Sequence, residues 1–170
     1  MASTTFSGPV TSTGGFVGDI TGAVTGAVTG AGTLNTVATS GTLNSTDAGF
    51  TQVLGVATGA TVTLPAATGT GNIYRFFVGT TVTSNDYIIQ VANATDVMAG
   101  VAIVANDTDA SASIFETAAD SDTITLDGST TGGILGQIIT IQDMASGVFS
   151  VVSTGAATGT EATPFSAAVS

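Results

Sequence analysis

The chain has 170 residues, about one domain's worth, with no cysteine, histidine or lysine, so imidazole bases, thiolate nucleophiles, thiolate zinc sites and Schiff-base lysines are excluded. Twelve acidic residues against one basic residue give a net charge of −11, which opposes binding to nucleic acid and to anionic membranes. A mean hydropathy of +0.52 excludes an acidic disordered tail, so we predict a folded structural protein with no enzymatic activity and no cofactor.

Residues 1–45 are predicted to form an extended arm, because they are dense in Gly and Thr and contain few large side chains. The arm contains a four-residue repeat, Ile20-Thr-Gly-Ala followed by two copies of Val-Thr-Gly-Ala. A glycine in every four residues disfavours a helix by about 1 kcal/mol each relative to alanine. The start of the chain has neither a basic region nor an apolar stretch of the kind that directs secretion, which predicts synthesis in a cytoplasm.

The repeat also predicts which residues of the arm would bind a partner. Alternate residues of an extended chain share one face, so one face of the repeat would alternate β-branched side chains with bare backbone. Such a face suits close approach to another chain, either a second copy or the edge of a foreign sheet. The alternative is a flexible Gly-rich linker. The predicted interface residues are Ile20, Gly22, Val24, Gly26, Val28 and Gly30.

Residues 46–170 are predicted to form an all-β domain, because short apolar runs alternate with turn-forming clusters and no helical period is present. Nine short strands at this spacing favour a β-sandwich or a jelly-roll-like barrel. The predicted strands are residues 51–56, 60–64, 72–78, 87–91, 97–105, 111–115, 122–126, 134–142 and 148–153. The predicted core residues are Phe76, Phe77, Ile88, Ile103, Phe115, Ile124, Ile139 and Phe149.

The carboxylates are the only candidates for metal ligands or for acid–base catalysts. Asp107 with Asp109, and Asp120 with Asp122, resemble oxygen-rich calcium loops but lack the glycine and glutamate spacing of an EF-hand. Glu116 and Asp120 are the nearest approach to the carboxylate pair of a glycosidase, in a chain without the tryptophan platforms typical of glycan grooves. Both sets are interpreted as turn formers, and no metal site is predicted.

Arg75 is the only side chain able to form a bidentate pair with a carboxylate. On a strand it shares a face with Ile73 and Phe77, which predicts partial burial and therefore an ion pair. A surface arginine with a solvated head group is the alternative. The acids expected to meet it, within the domain or across a subunit boundary, are Asp86, Asp96 and Asp143.

Three stretches resemble structural proteins of tailed bacteriophages, in particular marine and cyanobacterial phages. The opening Thr5-Phe-Ser-Gly-Pro-Val-Thr-Ser-Thr-Gly-Gly-Phe-Val-Gly18 and the Val-Thr-Gly-Ala repeats are similar to N-terminal arms of virion proteins. The stretch Gly59-Ala-Thr-Val-Thr-Leu-Pro-Ala-Ala-Thr-Gly-Thr-Gly71 and the ending, residues 159–170, are similar to β-rich domains of decorating and fibre-like proteins.

The resemblance implies a virion protein on the capsid surface, assembled in the host cytoplasm. The expected role is that of a capsid decoration (cement) protein, a homotrimer whose arm holds the major capsid protein or neighbouring copies. The alternative is a short tail or head fibre with a trimeric stalk made by the repeat. The apolar surface left by so few charged residues also favours self-association.

Overall fold

The computed structural model describes residues 34–169. This part of the chain contains strands, loops and one short 3-10 turn, Ser45–Asp47, and no α-helix. The strands are β1 (Leu34–Val37), β2 (Gly41–Thr42), β3 (Thr51–Leu54), β4 (Ala60–Thr63), β5 (Ile73–Val78), β6 (Tyr87–Gln90), β7 (Val97–Ala105), β8 (Ala112–Glu116), β9 (Thr123–Leu126), β10 (Ile138–Ala145), β11 (Val148–Ala156) and β12 (Phe165–Ser166). The all-β prediction is confirmed.

The strands form two mixed sheets. The large sheet has seven strands in the order β1-β3-β5-β10-β11-β7-β8, and the small sheet has five in the order β12-β9-β6-β4-β2. Residues from both sheets contribute to one continuous hydrophobic core. The sequence predicted a β-sandwich or a jelly-roll-like barrel. Jelly rolls are built from antiparallel Greek keys, whereas several neighbouring strands within residues 34–169 run parallel, so the structure shows two mixed sheets and does not show a jelly roll.

Residues 34–90 wind back and forth between the two sheets. The first, third and fifth strands stack in parallel in the large sheet, and the second, fourth and sixth stack in parallel in the small sheet. We call each pair of consecutive strands, one in each sheet, a rung. The three rungs, β1/β2, β3/β4 and β5/β6, lie on top of one another. The first rung, β1 and β2, uses residues 34–42, which the sequence had assigned to the arm.

The rest of the chain completes both sheets. β10 lies between β5 and β11 and is antiparallel to both, with an irregularity in the register between Asp143 and Ala145. β7 pairs in parallel with β11 along nine residues, and β8 closes the far edge of the large sheet. In the small sheet β9 is antiparallel to β6, and β12 forms the edge beside it.

The core follows the two-residue period of the strands, with alternate side chains buried. Four predicted core residues are fully buried: Phe76, Ile124, Ile139 and Phe149. Phe115 is half-buried and packs against the core. The prediction is wrong for the other three, Phe77, Ile88 and Ile103, because each occupies the alternate, outward position of its strand. Tyr74 and Tyr87, which were not predicted, are among the largest buried side chains.

Candidate functional site

The strongest candidate for an interaction site is the end of the two sheets at the first rung. Within residues 34–169, β1 pairs only with β3, and β2 pairs only with β4. Both sheets thus end on the same side of the core with a parallel edge whose outer N–H and C=O groups face away from the sheet. Such an edge is a template for pairing with a further strand.

The core is thinly covered at this end. Val37 and Leu43 pack against it but remain half-buried, and a shallow cleft separates the two edge strands. Behind them Val62 is 2% exposed and forms part of the cleft wall. The cleft is lined by Thr36, Val37, Ala38, Thr39, Gly41, Thr42, Leu43 and Val62. It contains no charged side chain, so it suits a small apolar or hydroxyl-bearing segment.

Hydrogen bonds hold the first rung in place, although no other strand in residues 34–169 pairs with its outer edge. Leu43 N–H donates to Thr63 O at 2.8 Å, which ties the end of β2 to β4. Ser40 Oγ accepts from the Thr61 N–H at 2.8 Å, which fixes the crossing between the two edge strands. Asn44 then caps the following 3-10 turn by accepting from the Thr46 N–H at 2.9 Å. The open edge is therefore a defined surface.

The interface residues predicted in the arm, from Ile20 to Gly30, lie outside the described residues. Residue 33 precedes the first residue of β1, so the part of the predicted arm before the first rung, residues 1–33, joins the domain at this edge. The arm hereafter means residues 1–33. β1 and β2 were not predicted from the sequence, because they are short and many of their side chains are exposed. The alternation in Leu34-Asn-Thr-Val37 was the only available signal, and four residues are too few to identify a strand by period alone.

Three carboxylates organise loops from inside the fold. Asp143 is 3% exposed and accepts N–H bonds from Gly69 at 2.7 Å and Thr70 at 3.0 Å. Asp122 is 5% exposed and accepts from Ala168 N–H at 2.8 Å, which holds the C-terminal segment. The third, Asp127, is in the loop after β9.

That third carboxylate, Asp127, accepts N–H bonds from Ser129 at 2.8 Å and Thr131 at 3.0 Å, and a hydroxyl bond from Thr130 at 2.7 Å. Burial alone would raise the pKa of Asp127, and these hydrogen bonds outweigh it and lower the pKa below its usual range. The pKa of Asp143 and that of Asp122 are lowered by the same balance. All three are ionised at neutral pH, and each is engaged by backbone N–H groups: Asp127 within its own loop, Asp143 and Asp122 by segments distant in sequence.

The acids considered for metal binding or catalysis are dispersed. Asp107 accepts from the Gly159 N–H at 3.2 Å, which lies 52 positions away, whereas Asp109 accepts from the Ser111 N–H within its own loop. Glu116 ends β8 on the outside of the large sheet, and Asp120 is exposed in the next turn. No group of three or more acidic residues within residues 34–169 is arranged to hold a metal ion.

Arg75 is exposed on β5, so the predicted partial burial is wrong. Its neighbours across the strands are Thr51 and Thr140 rather than acids. Two of the acids expected to meet it are engaged elsewhere, because Asp143 binds the loop at Gly69, and Asp96 accepts from the Ala67 N–H at 2.8 Å. An ion pair of Arg75 across a subunit boundary remains a prediction.

The chemistry offered by the open end is that of polypeptide recognition: backbone donors and acceptors along two edges, and an uncharged cleft between them. In the part of the chain that the structure describes, no helix has the length and apolar character needed to cross a membrane. Comparison of the chain with protein families, with curated proteins and with solved structures found no match.

Proposed function

We propose that the chain is a non-enzymatic structural protein of a bacteriophage particle, a decoration protein on the head shell. The β-domain is the folded body, and the arm that precedes it binds the major capsid protein or neighbouring copies. Copies of the chain associate as a homotrimer through the arm and the first rung. The resemblance of the arm to virion proteins suggests the location.

One observation carries this proposal: within residues 34–169, both sheets end in a parallel edge with no strand beyond it, and the arm enters there. A segment that pairs with these edges would gain main-chain hydrogen bonds and would cover half-buried Val37 and Leu43. The Gly and β-branched alternation of the repeat fits such close approach, because glycine offers no side chain to keep two backbones apart. An arm exchanged between copies would join them without a large apolar interface.

The test uses virus particles whose genome encodes the chain. Gold-labelled antibody against the β-domain should mark the head, and the protein should be present in a ratio to the shell protein that is close to stoichiometric. A variant lacking residues 2–33 keeps β1 and β2 and should no longer be incorporated. Its normal incorporation, or absence of the wild-type protein from purified particles, would overturn the proposal.

A short fibre is the second candidate, and the stacked rungs of residues 34–90 favour it. Parallel stacking can be continued along one axis by further rungs, which is how an elongated shaft grows. A fibre protein would be present at far fewer copies than the shell protein, and label would lie at one vertex or on the tail. The same particle measurements therefore separate the two candidates.

A further inference from the structure

The outside of the large sheet is a broad apolar surface with almost no charge. We define the outer face as the outward side chains of β5, β10, β11, β7 and β8. Among the large hydrophobic side chains that the structure exposes, five lie on it: Ile73, Ile103, Ile114, Ile138 and Val152. Of the acids in residues 34–169, only Glu116 lies on the outer face. Monomeric proteins rarely expose apolar patches of this kind.

The strand register aligns these side chains in rows across the five strands. The first row reads, from β5 to β8, Phe77, Ile138, Thr154, Ile103 and Ile114. The second row reads, in the same order, Arg75, Thr140, Val152, Val101 and Glu116. In both rows β11 is the middle strand, with two strands on each side.

The first row has the same apolar character on both sides of its middle residue, Thr154. Two apolar side chains lie on each side of Thr154, so a copy turned around β11 would set Phe77 against Ile114 and Ile138 against Ile103. A twofold interface requires this kind of self-complementarity, because the same patch is used by both copies. The second row is also self-complementary, because it carries opposite charges at its two ends.

Arg75 and Glu116 stand at opposite ends of the second row. Four strand spacings of about 4.8 Å put them roughly 19 Å apart within one chain, too far for an ion pair. A twofold axis parallel to β11 would place each Arg75 opposite the Glu116 of the other copy, with Val152 facing Val152 at the axis. An axis across the strands would instead set arginine against arginine, so the charges select the first arrangement.

We propose that the outer face is a twofold self-interface, formed by two copies that pack large sheet against large sheet with the axis along β11. The chain carries a net charge of −11, so copies repel one another over most of their surface. The outer face is where that repulsion is least, and it holds the only cation of the chain. A second copy is therefore the partner that fits it.

The size of the face agrees with this role. Five strands cover a width of about 24 Å, and strands of eight or nine residues extend about 26–30 Å, which gives on the order of 600 Å² per copy. Two copies bury about 1,200 Å², at the lower end for specific complexes. Face-to-face sheets also separate by about 10 Å, a gap that Ile, Val and Phe side chains fill. β1 and β3 extend beyond the contact and stay free.

The first test reverses charges in the full-length protein. Arg75→Glu faces Glu116 with a second glutamate, and Glu116→Arg faces Arg75 with a second arginine, so each should weaken association by about tenfold or more. The double variant restores opposite charges and should restore association. Sedimentation of the wild type should show an assembly whose mass each single variant halves. A mass that the single variants leave unchanged, or a monomeric wild type, would overturn the proposal.

The second test locates the axis with a single thiol, since the chain has no cysteine. Val152→Cys puts two thiols across the axis, and a short bis-maleimide should join the copies as a covalent dimer. A disulfide is the wrong probe, because sheets about 10 Å apart hold the Cα atoms beyond the roughly 7 Å limit. Ile114→Cys is the control: it is 64% exposed in one chain but faces Phe77, not itself. Equal cross-linking of both variants, or of neither, contradicts the twofold axis.

Discussion

Replacing Asp143 by asparagine should destabilise the protein although the two side chains have nearly the same size. The carboxylate of Asp143 receives four hydrogen bonds from the loop that precedes β5. They come from the N–H groups of Thr68, Gly69 and Thr70 and from the Thr70 hydroxyl, at 3.2, 2.7, 3.0 and 2.7 Å. An asparagine offers one oxygen, so its amide nitrogen must face at least one of these N–H donors.

The magnitude follows from the donors left without an acceptor. A buried N–H with no partner costs about 1–3 kcal/mol, and the bonds that remain become weaker once the acceptor loses its charge. We expect the free energy of unfolding to fall by about 2–4 kcal/mol at neutral pH, a large part of the roughly 5–15 kcal/mol typical of a domain.

The effect should depend on pH in a defined direction. The pKa of Asp143 is lower in the folded protein than in the unfolded chain, where it is about 3.9. The stabilisation is therefore complete above about pH 5 and is lost as the pH falls through the folded-state pKa. The difference between wild type and Asp143→Asn should shrink between pH 5 and pH 3.

Urea unfolding followed by circular dichroism at pH 7 and pH 3 would measure both quantities. Asp120→Asn is the matched control, since Asp120 is exposed in a turn. The reasoning fails if the two variants are equally stable at pH 7, or if the loss for Asp143→Asn is the same at both pH values.

Three further predictions concern packing, a buried hydroxyl and the C-terminal segment. Gly100→Ala should lower the melting temperature strongly, because a Cβ there would lie 1.8 Å from Val151 O in the neighbouring strand, whereas Gly41→Ala, with open space around it, should not. Tyr87→Phe should cost about 1–2 kcal/mol in urea unfolding, because the Tyr87 hydroxyl donates to Val56 O at 2.6 Å. Burial raises the pKa of Tyr87, so its phenolate absorbance should appear only above the pH at which free tyrosine titrates. Asp122→Asn should speed amide hydrogen exchange at Ala168 and Val169, and exchange rates equal to the wild type would refute the anchoring role of Asp122.

The sequence predicted the strands of residues 51–153 well, because each strand is an apolar run between turn-forming residues. Val97–Ala105 was predicted to the residue, and the others differ by a few residues at their ends. The pairing of the strands could not be predicted from the sequence, because strands that are neighbours in the sheet can be far apart along the chain, as β5 and β10 are. The face of a strand was equally ambiguous: Phe76 and Phe77 are adjacent and equally apolar, and only the pairing decides which one is buried.

The contacts of the acidic residues show a second limit of prediction from the sequence. In the sequence, Asp96 and Asp143 are plausible partners for Arg75, because opposite charges attract and the chain has one basic side chain. In the fold these carboxylates are satisfied by backbone N–H groups, which a sequence does not display as partners. Asp143 lies 75 positions from the loop that it binds at Thr68, so no local motif predicts the contact.

The position of β10 constrains how the chain can fold as it leaves the ribosome. Until residues 138–156 are made, the large sheet exists only as two unconnected parts, β1-β3-β5 and β7-β8, because β10 and β11 are the strands that join them. Joining them closes a loop of about 60 residues between β5 and β10, a long-range step of the kind that makes sheet proteins fold in milliseconds to seconds. The large sheet of this domain can therefore be completed only after residues 138–156 have left the ribosome.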